Sequence, residues 1–233
     1  MKRSKPFQFK KFTIEQTLAA FKVTGDSVYL GAWANLSTAN FILDIGTGTS
    51  ILALMAAQRN SNAEIYAIEP DLGSYQDAIT NTQNCEWKNR IHVIHSSFQD
   101  YNPNFLFDHI ISNPPYFTNQ LNSPDIRKNA ARHTDENFLN LLFEKSYHIS
   151  TPNAKLSIII PEKTYEHLDT KKWHLHRISR LNTGGKNTRF LVALEFQKEE
   201  CKHLEKDELF IRKDNEYSKE YLEQTKDFYL FVP

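Results

Sequence analysis

Between residues 41 and 160 the chain alternates short apolar runs with longer segments in which apolar residues recur at helical spacing. Apolar runs of four to six residues that end in polar or turn residues predict buried strands, and the longer segments predict helices between them. Strands are expected at 41–45, 64–69, 91–94, 108–112 and 155–160. Helices are expected at 51–59, 71–84 and 136–149. This alternation predicts an α/β fold with a mainly parallel, doubly wound sheet.

Two further segments, 173–181 and 189–196, are strand-like, and the link between them contains Gly184 and Gly185. Because glycines permit the tight turn of a hairpin, we expect a C-terminal antiparallel hairpin at the edge of the sheet. The expected sheet therefore has seven strands. We expect a single domain over residues 1–233, divided into an N-terminal lid (1–40), a core (41–197) and a C-terminal extension (198–233).

The composition excludes several classes of protein. Of the 233 residues 40% are hydrophobic and 12% aromatic, which suits one folded core and argues against disorder. Cys85 and Cys201 are too far apart in sequence for a disulfide framework or a cysteine zinc cluster, and no metal site is expected. The longest uncharged stretch, 27–43, is interrupted by polar residues, so no membrane span is expected. The basic start is followed by no apolar segment, and we expect a cytoplasmic protein.

Charge is balanced overall, with 28 basic and 28 acidic residues, but it is unevenly distributed. Residues 1–11 hold five bases and no acid, residues 171–189 hold six bases and no acid, and residues 195–227 hold eleven acids and seven bases. The two basic segments predict either a face that contacts phosphates or ordinary solvated surface, and charge alone does not choose between them.

A glycine-containing loop follows the first core strand, with the sequence Asp-Ile-Gly-Thr-Gly-Thr-Ser over residues 44–50. Glycines at a strand-to-helix turn let a ligand approach the backbone, and the helix start offers free N–H groups. The candidate cofactor residues in this loop are Asp44, Gly46, Thr47 and Gly48. A turn that serves packing alone is the alternative.

Glu69 ends the second core strand, about twenty residues beyond this loop. At that spacing a carboxylate can accept hydrogen bonds from both hydroxyls of a ribose. The loop and Glu69 together predict a cofactor that contains adenosine, without indicating which one.

The segment Asn113-Pro114-Pro115-Tyr116-Phe117 follows the fourth core strand. The two prolines preset an extended backbone, so that the Asn113 side-chain oxygen and the Pro114 carbonyl become two fixed acceptors. An exocyclic amino group has two hydrogens to donate and belongs to a flat ring that can stack on Tyr116. The segment therefore predicts a site for a planar amine such as adenine N6, with Phe117 lining it. A proline turn with a buried aromatic residue is the alternative.

These three features together resemble the class I S-adenosylmethionine-dependent methyltransferases that act on amino nitrogens. The similarity extends to the N-terminal region, where 7–12 and 20–33 (AFKVTGDSVYLGAW) resemble the bacterial tRNA1(Val) adenine-N6 methyltransferases. Residues 54–59, 110–117 and 228–231 resemble the same family. The resemblance implies a Rossmann-like fold and S-adenosylmethionine as cofactor. It also implies methylation of N6 of the adenosine immediately 3′ of the anticodon.

The resemblance implies further cofactor-binding residues: Lys22, Asp26, Ser97, Phe98 and Asn113. Three departures from the family pattern bear on cofactor affinity. Ser50 stands where a glycine is usual and adds a side chain where the methionine part of the cofactor is expected to pass. Thr24-Gly25 shifts a hydroxyl expected near the cofactor. Ser97 stands where an acid commonly accepts from the cofactor's adenine.

The expected partner is the anticodon stem-loop of a tRNA, whose loop bases are already unstacked and suit a small enzyme. No obligate protein partner is evident. Candidate substrate-binding residues are Pro115, Tyr116, Phe117, Arg127, Lys128 and Arg132. The Asn-Pro-Pro-Tyr segment would also accept guanine N2 of ribosomal RNA or a protein glutamine amide. A nucleic-acid-binding module without catalysis is a further alternative.

Overall fold

A computed structural model describes residues 5–114, 135–184, 188–214 and 216–230. The strands are β1 (Phe7–Gln8), β2 (Thr13–Ile14), β3 (Phe41–Ile45), β4 (Glu64–Glu69), β5 (Ile91–His95), β6 (Phe107–Ser112), β7 (Ser150–Pro161), β8 (His174–Asn182), β9 (Phe190–Gln197), β10 (Glu205–Phe210), β11 (Arg212–Lys213) and β12 (Glu216–Tyr217). The helices are α1 (Gly25–Trp33), α2 (Ile51–Arg59), α3 (Leu72–Gln83), α4 (Asp135–His148), α5 (Glu162–Tyr165) and α6 (Lys219–Thr225). Each predicted strand and helix is present, with bounds shifted by a few residues.

Eight strands form the central sheet in the order β10-β8-β9-β7-β6-β3-β4-β5. Strand β9 is antiparallel to both of its neighbours, and all other pairs are parallel. The chain runs outwards in one direction from β3 through β4 to β5, and in the other from β6 to β7. Open parallel sheets bind ligands at the carboxyl ends of their strands where the order reverses, which here is the crevice between β3 and β6.

The predicted hairpin is confirmed as β8 and β9, and β10 adds an eighth strand to the seven predicted. This strand comes from the C-terminal extension and pairs in parallel with β8 from Glu205 to Phe210. Its six residues are mostly charged and exposed, so they carry no apolar pattern that would predict a strand. Backbone pairing at an open sheet edge is sufficient to order such a segment, and its charges suit an edge strand.

The sheet is covered on both faces, because alternate residues of each strand point to opposite sides. Ile42 and Ile159 pack with α1 and α2 on one face, whereas Leu43 and Ile158 pack with α4 on the other. Among the described residues, no helix has both the length and the apolar character needed to cross a bilayer.

The two ends of the chain meet each other on the α1 side of the sheet. Phe9 bridges Tyr229 in antiparallel fashion, and the Lys10 N–H donates to the Phe228 carbonyl over 2.8 Å. The rings of Phe9, Phe12 and Tyr229 stack at centroid distances of 4.7 and 5.8 Å. The described parts of the lid and the extension therefore share a core with α1.

Candidate active site

The glycine loop lies at the carboxyl end of β3, where the chain turns into α2. Gly46 and Gly48 have positive φ angles of 69° and 58°, a backbone conformation that L side chains rarely adopt. A Cβ atom built at either glycine meets no described atom within 4 Å, and Gly46 is exposed. The front of the loop is therefore open to a ligand.

Ser50 is the third left-handed residue of this turn, with φ of 66°. The expectation that its side chain lies in the path of a cofactor is not met, because Ser50 is fully buried and does not face the open side of the loop. Among the described residues its hydroxyl has no hydrogen-bond partner. This departure from the family pattern is therefore accommodated inside the protein.

Asp44 organises the loop from within the protein. Its Oδ2 accepts a hydrogen bond from the Thr47 hydroxyl at 2.5 Å and another from the Ala53 N–H, in the first turn of α2, at 3.1 Å. Oδ1 is buried and has no partner among the described residues. Burial raises the pKa of Asp44 to about 7, and the hydrogen bonds from Thr47 and Ala53 oppose that rise.

Glu69 joins the glycine loop to the start of α3. Its Oε2 accepts from the Gly48 N–H at 2.8 Å and its Oε1 accepts from the Asp71 N–H at 2.9 Å. Burial raises the pKa of this carboxyl group, and the two backbone hydrogen bonds lower it. A carboxylate oxygen can accept two hydrogen bonds, so each Glu69 oxygen can still accept one from a ribose hydroxyl.

Ser97 lies in the turn after β5, beside the end of β4, since the Ser96 N–H donates to the Glu69 carbonyl over 3.2 Å. Its hydroxyl donates to Asp100 Oδ2 at 2.6 Å, and the Asp100 N–H donates back to Ser97 Oγ at 3.1 Å. An acidic side chain, Asp100, is therefore present after β5, three residues beyond Ser97, the position at which the family commonly has an acid. Asp100 was not identified from the sequence because its spacing follows no motif.

Phe98 contributes its side chain to the core. The ring is buried in the cluster around α4, and the Lys145 ammonium lies 5.4 Å from its centroid. The side chain of Phe98 is therefore taken up by core packing, and its cofactor role stays a prediction. The neighbouring Ser97–Asp100 pair carries the polar side chains of this turn.

Asn113 lies at the carboxyl end of β6, next to the glycine loop. Ser112, which precedes it, is buried and donates from Oγ to the Ile45 carbonyl at the end of β3 over 2.8 Å. The Asn113 amide donates from Nδ2 to Ser27 Oγ, in the first turn of α1, at 2.7 Å. Pro114, the next residue, is buried. The structure thus brings Asn113, the glycine loop and the start of α1 together.

Lys22 and Asp26 lie in and after the turn that precedes α1. The Lys22 ammonium donates to the backbone carbonyl of Gln16, and the Gln16 side-chain oxygen accepts from the Val23 N–H at 3.0 Å. Asp26 is buried, with Arg189 Nη2 at 3.9 Å from its carboxylate. Lys22 therefore helps to hold this turn, and the cofactor-binding roles of Lys22 and Asp26 stay predictions.

Several predicted site residues lie outside the described residues, and their roles remain predictions: Pro115, Tyr116, Phe117, Arg127, Lys128 and Arg132. Among the described residues, no three histidine, cysteine, aspartate or glutamate side chains form a group suited to a metal ion. Three polar residues of the site were given no role by the sequence analysis: Ser27, Asp100 and Ser112.

Comparison with known proteins agrees with this geometry. The family model "Methyltransferase small domain" matches residues 27–163. A curated tRNA1(Val) (adenine(37)-N6)-methyltransferase of Bacteroides thetaiotaomicron is 38% identical, over 97% of this chain and 98% of its own length. One of the same name from Vibrio campbellii is 33% identical, over 98% of this chain and 97% of its own length.

Solved structures share the fold at low sequence identity. A predicted O-methyltransferase of Agrobacterium tumefaciens superposes with a TM-score of 0.62 at 16% identity, covering 86% of this chain and 95% of its own. TYW2 of Pyrococcus horikoshii, solved in complex with MeSAdo, superposes with a TM-score of 0.54 at 15% identity. The match covers 81% of this chain and 68% of the TYW2 chain. The predicted Rossmann-like class I methyltransferase fold is confirmed. The chain is a methyltransferase of the small-domain class and belongs to the family of tRNA1(Val) (adenine(37)-N6)-methyltransferases.

Proposed function

We propose that this protein transfers a methyl group from S-adenosylmethionine to N6 of adenosine 37 in tRNA1(Val). The observation that carries this proposal is the position of Asn113, an amide at the end of β6 that Ser112 ties to the end of β3, beside the open glycine loop. Curated relatives named for this reaction match nearly the whole chain. Their names do not favour guanine N2 or a glutamine amide as the acceptor.

The residues of the crevice fit S-adenosylmethionine. The space in front of Gly46 and Gly48 admits a ligand against the backbone, and Glu69 presents two carboxylate oxygens at the ribose position. Asp44 and Thr47 hold the loop in shape from behind. At the adenine end, the Ser97–Asp100 pair supplies a carboxylate and a hydroxyl as acceptors. When bound, the cofactor supplies an electrophilic methyl group on its sulfonium sulfur.

Asn113 and Pro114 are proposed to act on the acceptor amine. The Asn113 Oδ1 and the Pro114 carbonyl accept the two amino hydrogens, which turns the nitrogen lone pair out of conjugation with the ring and towards the methyl group. As the new N–C bond forms, the sulfur–carbon bond breaks and sulfur keeps its electron pair. The methylated nitrogen is then acidic and loses one proton to water, so the segment needs no strong base. Tyr116 is proposed to stack on the base and Phe117 to line the pocket.

The two basic segments differ in their suitability for contacting tRNA. In the segment 171–189, Lys171 and Arg180 are 2.6 and 2.9 Å from carboxylate oxygens, and Arg177 pairs with Glu195 and Glu205 at 3.6 and 3.1 Å. Bases with acidic partners are less available to phosphates. We therefore assign phosphate contacts first to Lys10 and Lys11 of the segment 1–11.

Lys10 and Lys11 line a cavity of about 490 Å³ together with Gln58, Arg59 and Asp227. The Lys10 ammonium donates to a neutral carbonyl, that of Lys226, and so keeps its charge for a phosphate. Arg127, Lys128 and Arg132 remain proposed contacts to the anticodon stem-loop. We propose that the chain acts as one domain, since its two ends share a core with α1. A cytoplasmic location is proposed from the sequence alone.

The test is a methylation assay of the purified protein with unmodified tRNA1(Val) transcript and cofactor labelled in its methyl group, followed by nucleoside analysis. The expected result is label in N6-methyladenosine, absent when adenosine 37 is replaced by guanosine. A matched reaction with Asn113→Ala controls for contaminating activity. Label on another nucleoside, equal label on the guanosine transcript, or no transfer by the wild-type protein would contradict the proposal.

A further inference from the structure

We propose that Ser27 is a positioning residue, which holds the Asn113 amide so that its oxygen faces the acceptor amine. This inference rests on the function proposed above. Ser27 lies in the first turn of α1, 86 residues before Asn113 in the chain. It belongs to the predicted N-terminal lid (1–40) rather than to the core (41–197) that carries the glycine loop.

The contact between the two side chains is short and shielded from water. Ser27 Oγ accepts from Asn113 Nδ2 at 2.7 Å, and Ser27 is only 7% exposed. The Ser27 hydroxyl also lies 3.1 Å from Thr24 Oγ1. The serine proton can therefore go to Thr24 while the serine oxygen receives the Asn113 hydrogen. The three side chains then form a chain of hydrogen bonds that starts at Asn113.

The orientation of the amide decides whether Asn113 can serve its proposed role. A carboxamide has nearly the same shape when its oxygen and nitrogen are exchanged, but only the oxygen accepts a hydrogen bond. An NH2 group turned towards the acceptor amine would oppose a donor with a donor. Because the amide is planar, an NH2 group held by Ser27 places Oδ1 on the opposite side. With its own proton directed to Thr24 Oγ1, Ser27 offers the amide an acceptor alone, which favours the orientation that the reaction needs.

Ser27→Ala tests this role because it removes the acceptor and leaves space for the amide to rotate. We expect kcat for tRNA methylation to fall about tenfold, the effect of losing one hydrogen bond to a positioned group. The dissociation constant of the cofactor, measured by calorimetry, is expected to stay within about twofold. Ser27→Thr keeps the hydroxyl and is expected to restore most of kcat.

Ser179→Ala is the matched control. Ser179 is buried, as Ser27 is, and its hydroxyl contacts α1 at 2.8 Å from the Tyr29 hydroxyl, but it is not bonded to Asn113. This variant likewise loses one buried hydroxyl that contacts α1, and its kcat is expected to equal that of the wild type. A parallel loss of kcat in Ser27→Ala and Ser179→Ala would show a general effect on α1 and would overturn the proposal.

A second readout does not depend on turnover. The side-chain amide protons of Asn113, assigned in an NMR spectrum by their loss in Asn113→Ala, are expected to exchange slowly with solvent in the wild type and in Ser179→Ala, and quickly in Ser27→Ala. Fast exchange in the wild type would overturn the contact. If the Asn113 amide protons of Ser27→Ala exchange slowly and its kcat equals that of the wild type, the positioning role is overturned. A wild-type protein that transfers no methyl group to adenosine 37 would instead overturn the proposed function, and this role with it.

Discussion

The backbone N–H of Gly48 donates to the Glu69 carboxylate over 2.8 Å, so the loop after β3 and the end of β4 are directly joined. The second oxygen of the same carboxylate holds the start of α3 through Asp71. Glu69 therefore has a structural role in shaping the loop and a proposed binding role towards the ribose. Both roles need the two oxygens of an ionised carboxylate.

Replacement of Glu69 by glutamine is expected to weaken cofactor binding. The amide keeps one oxygen but places an NH2 group against either the Gly48 or the Asp71 N–H, and it loses the charge that strengthens a hydrogen bond to a hydroxyl. We expect calorimetry to show a loss of about 1.5–3 kcal/mol in the binding free energy of the cofactor, which is a roughly tenfold to hundredfold rise in its dissociation constant. Glu64→Gln is the control, because it changes an exposed acid at the opposite end of β4. Equal affinity of Glu69→Gln and wild type would refute the ribose assignment.

Asp100→Asn is expected to weaken cofactor binding by severalfold. The Ser97 hydroxyl donates to this carboxylate, and loss of the charge reduces the ability of the pair to accept from an amino group. Ser97→Ala is expected to have a smaller effect, because the carboxylate remains. Binding of S-adenosylhomocysteine by calorimetry measures both variants. A larger loss in Ser97→Ala than in Asp100→Asn would indicate that the hydroxyl is the main acceptor.

Asn113→Ala is expected to abolish turnover while the protein still binds its cofactor. The proposed contacts of Asn113 are to the acceptor amine, so the reaction loses an orienting group whereas Glu69 and the glycine loop are unchanged. Single-turnover methylation and cofactor calorimetry on the same preparation separate the two effects. A rate near that of the wild type would remove Asn113 from the proposed mechanism.

The burial of Asp44 predicts a pH-dependent stability. Its pKa rises from 3.8 in the unfolded chain to about 7 in the folded protein, so the folded state binds the proton more tightly. The contribution of this group to stability is complete below pH 3.8 and is lost as pH rises through about 7, by an amount on the order of 4 kcal/mol. The asparagine of the Asp44→Asn variant cannot ionise, so this variant does not lose stability through residue 44 as pH rises.

The free energy of unfolding of Asp44→Asn is therefore expected to rise relative to that of the wild type between pH 4.5 and pH 8, pH values chosen at about the ends of the titration. Urea unfolding of both proteins at each pH measures the difference, and titration of all other groups cancels in it. A difference that does not change with pH would contradict the raised pKa of Asp44.

Replacement of Lys5, Lys10 and Lys11 by glutamine is expected to weaken tRNA binding and to make it less dependent on salt. Deletion of residues 1–11 is a poorer test, because Phe9 belongs to the buried aromatic cluster with Tyr229. For single-stranded RNA each lost phosphate contact lowers the slope of log affinity against log salt by about 0.7. A triple variant of Lys171, Lys172 and Arg180 is the comparison. An unchanged slope in the N-terminal variant would contradict a phosphate-contacting segment.

The local sequence pattern was sufficient to predict the strands, the helices and the positions of the main chemical groups. The alternation of apolar residues has a period of two in strands and of about 3.6 in helices, so it can be seen within a short stretch of sequence. Motifs such as the glycine loop, Glu69 and Asn113 also lie at strand ends. Parallel strands bring their carboxyl ends to one edge, so these groups were expected to meet.

The tertiary structure alone decided contacts between distant segments, because no local period records which side chains meet across a fold. It places Ser27 against Asn113, β10 beside β8, and Phe9 against Tyr229. It also turns Ser50 into the core and pairs Ser97 with Asp100, where residue type gave no indication of direction. Those contacts depend on how the whole chain packs, and neighbouring residues in the sequence carry no record of that packing.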